Sequence, residues 1–585
     1  ELLQSAAVIG KVFWTGNLTA VVALDRWSVE ERLRALERKE LVARSQASSI
    51  AGDSQWTFGH ILIRDVAYGQ IPRADRAKKH RISAEWIESL GRPDDHAEMV
   101  AHHYVSALEL DPALPLADRA RLALRRAGDR AFALNAFAAA ARLYEQALEL
   151  WPGDDPERPR LELHRGRALY RGTGSGADAF AAARDGLLAA GESAAAAEAE
   201  IILAELASYV GEHDRASDHL GRALDLIEPE PSSWTKAFVL SHAARLNLLR
   251  ARLEAAIALG RHALQIADQL DLDEIRVHSL NTIGTARVEQ NDPAGLEDVE
   301  QSLRLAQRIN SPESARGYLN LAVLTAMSGE LLRSVSVHSE GLREAERLGL
   351  GGWLRFLRGH SAQYSYWGGR WRDAVKSAGE FLGEIEAGSP HYEENQNRNV
   401  RALMRLARDD VDGALDDTER SLARAREVKD AQNLCPTLVV RAFLLLSLGE
   451  FDTARSLALE VVEGWAGVEQ VVLTWGGAGA VAAIATLARV DPLVALESED
   501  PHRSLWVAAA HEYLAGNLAR AADIYARIGS RPDEAYARLQ AAEQLASEGD
   551  PTRADAQREK ALEFYRSVSA TRYVREAQAL GTAYG

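Results

Sequence analysis

Cysteine is almost absent: the 585 residues hold one, Cys435. A lone thiol makes no intramolecular disulfide and no thiolate zinc cage, so a disulfide scaffold is excluded and a reducing, cytoplasmic setting is the expectation. Long hydrophobic runs are missing too. The longest near-apolar stretches, 478–488 and 438–448, fall short of the about 18 residues that a membrane span needs, so no membrane is expected. Proline (17 residues) and aromatic residues (6%) are sparse, while Ala and Leu fill most of the chain, a composition that favours helix. Positive charge is short as well. Lys and Arg number 68 against 85 Asp and Glu, a net charge of −17, which argues against a surface built for nucleic-acid phosphates. The deficit is uneven: residues 1–90 carry about +2 and the remainder about −19, which places a boundary near residues 91–95.

What the chain has in abundance is a period. Residues 122–152 carry Gly128, Ala140, Tyr144, Ala147, Leu148 and Pro152. These are the spacings of a tetratricopeptide repeat (TPR), two antiparallel helices that cross closely at small residues. Turn residues then recur at Gly211, Ala251, Gln290, Gly329, Gly369, Asp409 and Gly449, 39 or 40 apart. Seven residues before them stand Ala204, Ala244, Ile283, Ala322, Ala362, Ala402 and Ala442; five after them stand Ala216, Ala256, Gly295, Ser334, Ala374, Ala414 and Ala454. Thirteen after them stands Leu in six units and Val462 in the last. Small residues at two fixed sites let helix axes approach, and the large one fills the space against the next unit. A degenerate unit fits around 173–174, and two more are anchored at Gly516 and Gly549. Residues 487–501 break the pattern as an irregular connection, and a helix at about 563–580 is expected to cap the array. Residues 96–585 are therefore expected to form an all-α, TPR-like α-solenoid superhelix of about ten helix pairs with a period of about 40. The first helix of each pair lines the concave face of such an array, where a protein or small-molecule effector binds.

Residues 1–95 read differently. A helix at 2–9, an amphipathic helix at 29–39 with Leu33 and Leu36 on one face, and short strands at 41–45 and 55–58 around Ala51–Gly52–Asp53 make a winged helix, a small α+β domain ahead of the solenoid. The runs AAVIGKVFW at 6–14, LERKEL at 36–41 and FGHILIRDVAYGQIPRADRAKKH at 58–80 resemble the winged-helix segment of multidomain actinobacterial STAND proteins. In those signal-transduction ATPases an adenylate/guanylate cyclase domain commonly comes first, followed by an AAA-type ATPase, this segment and a TPR array. The 40-residue repeats resemble those of the same class, which includes the bacterial maltose-operon activator. The resemblance implies a C-terminal sensor fragment, and a start at Glu1 rather than Met reads as a piece of a longer protein. It also implies ATP or ADP with Mg in an upstream ATPase domain acting in cis, any cyclic-nucleotide synthesis upstream, and no cofactor in this chain. Residues 58–68 further resemble the Met-His-Asp motif of NB-ARC switch ATPases, whose histidine touches the ADP phosphate and holds the closed state. His60 falls on that histidine, with Ile61 where the motif has Asp. An imidazole N–H at a helix start is a suitable phosphate donor. The alternative is a His60 that only caps its helix or packs under the wing, with Arg64 and Asp65 as an internal ion pair.

No G-x-x-x-x-G-K-[ST] loop occurs; the Gly-rich run 172–176 has no Lys, so the chain alone is not expected to bind ATP. Neither a catalytic nor a metal set is expected. His102 and His103 point about 100° apart on a helix, without a third ligand at helical spacing, and Cys435 reads as a small buried residue. Arg73, Arg76, Lys78, Lys79 and Arg81 invite a DNA reading, but Glu30, Glu31, Glu37 and Glu40 on the helix that would read DNA would face phosphates. A solvated face or a dock for the ATPase is preferred. Aromatic residues concentrate at Trp353, Phe356, Tyr364, Tyr366, Trp367 and Trp371, followed by the amide-rich run 395–399 on the next unit's first helix. Rings beside amides suit an effector pocket. Trp353, Tyr364, Tyr366, Trp367, Asn395 and Asn399 are the expected groove residues, the alternative being rings packed between units. The functional expectation is a non-catalytic sensor: the array binds an effector, and the winged helix relays this to the ATPase by releasing His60 from ADP. A passive TPR scaffold for protein assembly, or part of an ATP-dependent transcriptional regulator, are the alternatives.

Overall fold

Three short strands organise the start of the chain. Val12–Trp14 (β1), Val42–Arg44 (β2) and Gln55–Phe58 (β3) form an antiparallel sheet in the order β1-β3-β2. Alternation along β3 turns Trp56 and Phe58 inward, where they meet Phe13, Leu18, Val29, Leu33 and Val42 from the helices Leu2–Ile9 (α1), Thr15–Val22 (α2) and Arg26–Glu37 (α3) and from the other strands. The Trp56 indole N–H donates to Thr15 Oγ1 at 3.0 Å. Asp53, in the turn before β3, accepts from the Gly16 amide at 2.8 Å and pairs with Arg26 at 2.7 Å, fastening the turn to the starts of α2 and α3. The elements read from sequence at 2–9, 29–39, 41–45 and 55–58 are present with small changes of boundary. Strand β1 and helix α2 are additions: three and eight residues are too short to show a period, and α2 carries Thr15, Gly16, Thr19, Val21 and Val22, all poor helix formers.

The structure, a computed structural model, describes residues 1–91, 95–210, 212–428, 430–463, 469–487 and 504–583, and the chain divides into two units, Glu1–Gly191 and Glu192–Gly585. In the first, helices Ile61–Gly69 (α4), Arg73–Glu88 (α5), Ala97–Leu110 (α6), Ala117–Ala133 (α7), Phe137–Leu150 (α8), Arg158–Thr173 (α9) and Ala177–Ala189 (α10) follow the sheet. The α7/α8 pair is the repeat expected at 122–152. A Cβ on Gly128 would lie 2.6 Å from the Tyr144 ring, and the Tyr144 hydroxyl donates to Asp129 at 2.8 Å.

In the second unit the 40-residue period becomes seven helix pairs of TPR type. The first helices are Ser193–Tyr209 (α11), Trp234–Leu248 (α13), Asp273–Glu289 (α15), Ser314–Ser328 (α17), Gly351–Trp367 (α19), Glu394–Ala407 (α21) and Ala431–Ser447 (α23). The second helices are His213–Ile227 (α12), Leu253–Leu270 (α14), Gly295–Arg308 (α16), Leu331–Arg347 (α18), Trp371–Glu386 (α20), Val411–Val428 (α22) and Phe451–Glu463 (α24). A left-handed residue ends the first helix in most pairs: Ala251, Gly329, Gly369, Asp409 and Gly449 have φ between 54° and 91°, and Asn291 takes that role beside Gln290. Gly211 lies outside the described residues. The six alanines seven residues before these turns are fully buried, as are Ala216, Ala256, Ser334, Ala374, Ala414 and Ala454 five residues after them. Between α15 and α16 the approach is closest, since a Cβ on Gly284 would lie 2.5 Å from the Gly295 carbonyl oxygen.

The first helices are buried on nearly every side, whereas the second helices bury one stripe. Each first helix packs against its own second helix and against neighbouring first helices, and over three of them the chain also returns. Helices Glu469–Leu487 (α25, broken at Gly477), Leu505–Leu514 (α26), Leu518–Ile528 (α27), Arg531–Ser547 (α28), Pro551–Ser567 (α29) and Thr571–Ala583 (α30) complete the unit. Of these, α25 and α26 pack against α17, α28 against α19, and α30 against α21. The Trp506 indole N–H donates to the Ala326 carbonyl at 2.7 Å, and Arg575 pairs with Asp409 at 2.8 Å. The helix expected at 563–580 is broken: Ser569, at φ 58°, turns the chain between α29 and α30. The irregular connection expected at 487–501 lies, apart from Leu487, outside the described residues. Among the described residues, no helix is long and apolar enough to cross a membrane.

Gly284→Ala separates two opposed effects. Helix propensity favours Ala over Gly by about 1 kcal/mol, but the new methyl meets backbone that cannot rotate away, and overpacking of this kind costs about 1–3 kcal/mol. A net loss of stability in denaturant melts is expected; a variant at least as stable as the parent would contradict the close crossing.

Candidate functional site

The return of the C-terminal helices fills the inner face beside α17, α19 and α21 but leaves a cavity of about 200 Å³ further up the array. First helices of five consecutive pairs wall it: Tyr209 from α11, Arg245 and Leu248 from α13, Thr285 and Glu289 from α15, Arg316 and Asn320 from α17, and Trp353, Phe356 and His360 from α19. Tyr392, Glu393, Asp430 and Gln432, just before and at the starts of α21 and α23, close one side. The repeat itself explains why polar groups gather here. Nine residues before successive turn residues stand His242, Asn281, Asn320 and His360, whereas the same place holds Ile202 before them and Val400 and Val440 after them.

Behind the wall is a buried ionic network. Glu205 accepts from His242 Nδ1–H at 2.8 Å and pairs with Arg245 at 3.0 Å. The Arg245 guanidinium sits over Tyr209 at 5.3 Å and Trp353 at 5.2 Å. Arg316, 2% exposed, donates to the His278 ring at 2.6 Å, to Thr282 Oγ1 at 2.7 Å and to the His278 carbonyl at 3.0 Å. Burial pulls Arg316 down to about 10. Ligand atoms of Glu205, His242 and His278 lie within 4.8 Å of one another, the spacing of a metal site. The chemistry opposes one: Arg245 and Arg316 already hold Glu205 and His278, their charges have the sign of a metal ion, and the two imidazoles stack at 4.2 Å and 21° instead of converging on a point.

The carboxylates on the other side are less satisfied. Asp430 accepts from the Tyr392 hydroxyl at 2.6 Å and from the Gln432 amide at 2.9 Å, and Glu393 lies 3.8 Å from His360. Glu289 has no hydrogen-bonding or ion-pair partner among the described residues, and burial pushes its carboxyl up to about 8. All three acids act on the Tyr392 phenol, which burial and their charges hold well above its usual range.

The six groove residues expected from sequence do not converge. Trp353 lines the cavity. Tyr364 and Trp367 instead enter the core under the returning helices, Trp367 stacked on Trp475 at 5.0 Å and tilted against Trp506 at 5.8 Å. Tyr366 points to another side and stacks on Trp371 at 5.5 Å. Asn395 is buried, and Asn399 donates to Thr437 at 3.1 Å and accepts from Ser421 at 2.9 Å, tying α21 to α22 and α23. Sequence reasoning followed the density of aromatic residues and missed Glu289, Arg245, Arg316, Tyr209 and Tyr392; the polar run nine residues before the turns is the signal that leads to them.

In the first unit, His60 is the exposed N-cap of α4, its Nδ1 accepting from the Leu62 amide at 3.1 Å. The neutral ring therefore carries its proton on Nε2. Gly59 before it is dictated by a close approach, because a Cβ there would lie 2.5 Å from the Glu40 carbonyl oxygen. Arg64 does pair with Asp65, at 3.0 Å, and also donates to the Ala7 carbonyl at 3.1 Å. His103 lies against His80 of α5, with Nδ1 atoms 2.9 Å apart, and the Tyr68 hydroxyl lies 3.0 Å from His80 Nε2.

Neither a family model nor a curated relative matches the sequence. Solved structures of similar fold include a Rap protein complexed with competence and sporulation factor (12% identity, 67% of this chain and 99% of that one, TM-score 0.38). Another is a signal-transduction ATPase with numerous domains (STAND) and a tetratricopeptide repeat sensor, from Pyrococcus horikoshii (11%, 89% and 63%, TM-score 0.26). A third is yeast Tom70 (14%, 83% and 99%, TM-score 0.32). The match to the STAND protein thus spans less than two thirds of that longer chain. None of these likenesses carries weight for function.

Burial, with the nearby charges of His102, Arg64 and Arg76, holds His80 down at about 3, and burial likewise lowers His102 and His103, with Glu109 opposing at His102. The buried His80 and His103 rings are neutral when folded and take up protons on unfolding, so the stability they permit is full above about pH 6.5 and falls below it, by up to about 1.4 kcal/mol per pH unit for each of the two, while the exposed His102 adds less. Amide exchange in α5 and α6, corrected for intrinsic rate, is expected to be faster at pH 5 than at pH 7. Equal protection at both would contradict it.

Proposed function

We propose that this chain is the sensing part of a signal-transduction ATPase of the STAND class, with the helix pairs at 96–585 holding an effector and the head at 1–95 passing that state to an ATPase domain upstream. The observation that carries the reading is the cavity: five consecutive pairs contribute to one aromatic and charged site, and a site spread over many units couples its contents to the geometry of the whole array. A chain that only assembled other proteins would gain nothing from burying Arg245, Arg316 and Glu205 there, an arrangement that costs stability unless it is used. The helices and the β1-β3-β2 sheet of the head suit a winged helix, and the likeness of residues 58–80 to the STAND segment favours the same assignment. In this reading ATP or ADP with Mg belongs to the upstream domain, and this chain performs no catalysis. His60, with Nε2–H outward at a helix start, suits donation to an ADP phosphate.

The test separates capping from phosphate donation. In the full-length protein, His60→Ser keeps a side chain that caps α4 well but cannot reach a phosphate. Unchanged melting together with ADP release accelerated about tenfold or more, the loss of about 1.4 kcal/mol of contact, is the expected result. Unchanged ADP release would remove His60 from the switch.

A further inference from the structure

The charges around the cavity do not balance. Glu289, Glu393 and Asp430 face it from one side, and Arg245 and Arg316 from the other. Both guanidinium groups already have carboxylates at their backs, Glu205 at 3.0 Å from Arg245 and Glu313 at 3.8 Å from Arg316. Among the described residues, the wall facing them has three carboxylates with a hydroxyl, an amide and the His360 imidazole for company, and no Lys or Arg. One of the three, Glu289, has no partner at all among the described residues. The remaining surface is flat and apolar: Phe356, Leu248, Leu319 and Trp353. The protein also shows what rings in this cavity accept, since the Arg245 guanidinium lies over Trp353 and over Tyr209.

We propose that the cavity binds a small organic cation, with an amidinium, guanidinium or ammonium head against Glu289, Glu393 and Asp430 and a flat apolar body against Phe356, Leu319 and Trp353. The proposal deepens the sensor reading and rests on it for its purpose, because it names the class of effector. An anion would have to displace Glu205 or Glu313 from its arginine, and a neutral body would give Glu289 no ionic partner and add nothing to the contacts that Glu393 and Asp430 already have.

Benzamidinium, benzamide and benzoate share one shape and differ in charge, so calorimetric titration of each into the 585-residue chain tests the inference. Benzamidinium is expected to bind at least tenfold more tightly than benzamide, and benzoate least. Binding requires Glu289 ionised, so the affinity for benzamidinium is expected to rise by up to about tenfold per pH unit from pH 6 toward 8 and then level off. The other groups facing Glu289 are Tyr392, Glu393, Asp430, His213, His360, Arg245 and Arg316. Glu289→Gln, which removes a partnerless carboxyl and should fold, is therefore expected to flatten the pH slope and narrow the gap to benzamide, with benzamide itself unchanged. Benzoate binding as tightly as benzamidinium, no benzamidinium binding at millimolar concentration, or an unchanged slope in Glu289→Gln would each overturn the proposal. Cation binding with no effect of any ligand on ADP retention in the full-length protein would instead overturn the sensor reading and leave the ligand class standing.

Discussion

Helices that meet backbone to backbone are the constraint on which the second unit depends. At the crossings Ala, Gly or Ser stands at both fixed sites in every unit but one, where Ile283 precedes Gly284, and Gly284 against Gly295 is an especially close case. That requirement accounts for the alanine content, for the constancy of the 39- or 40-residue period, and for the scarcity of aromatic residues along the crossings. It also moves the large side chains elsewhere. A pair whose crossing is lined with methyl groups buries little apolar area by itself, so each unit relies on its neighbours and on whatever covers its inner face. Here the cover is the chain's own α25–α30, and Trp367, Trp475 and Trp506 form the seam.

The cavity is where that cover stops. Val400 and Val440 occupy the inner position in the pairs beyond the cavity, whereas His242, Asn281, Asn320 and His360 hold it in the four pairs whose first helices, α13, α15, α17 and α19, wall the cavity. Buried charges pay for themselves only when every group is held, and the Glu205–Arg245 and Arg316–His278 contacts do this on one side. The other side leaves Glu289 without a hydrogen-bonding or ion-pair partner among the described residues. Binding and folding thus draw on the same inner positions, and a ligand that neutralises the acidic side adds to the stability of five pairs at once.

The repeat was legible because its constraint is local. Ala244, Ala256 and the turn at Ala251 lie within a dozen residues of one another and face the same crossing, so spacing alone identifies them. Helices α1 and α3 and the β2–β3 hairpin of the head were legible for the same reason, while α2 and β1 were not, β1 because three residues acquire meaning only on pairing with β3, more than forty positions away. Tyr364 and Trp367 expose the other limit. Their density suggested a groove, but what decides their fate is Trp506, some 140 residues downstream, a contact with no local trace. The polar inner positions were present in the sequence at a fixed offset, although their convergence depends on how successive pairs stack.

The central claim is that the chain itself covers the inner face beside α17, α19 and α21 and leaves the cavity of Glu289 open next to that cover. Hydrogen exchange followed peptide by peptide on the intact chain tests it most directly. The account predicts that α26 and α17, joined by the Trp506–Ala326 hydrogen bond, share one slow opening and that Trp506→Ala accelerates exchange in both. Fast exchange of α26 with α17 unaffected by the substitution would contradict it.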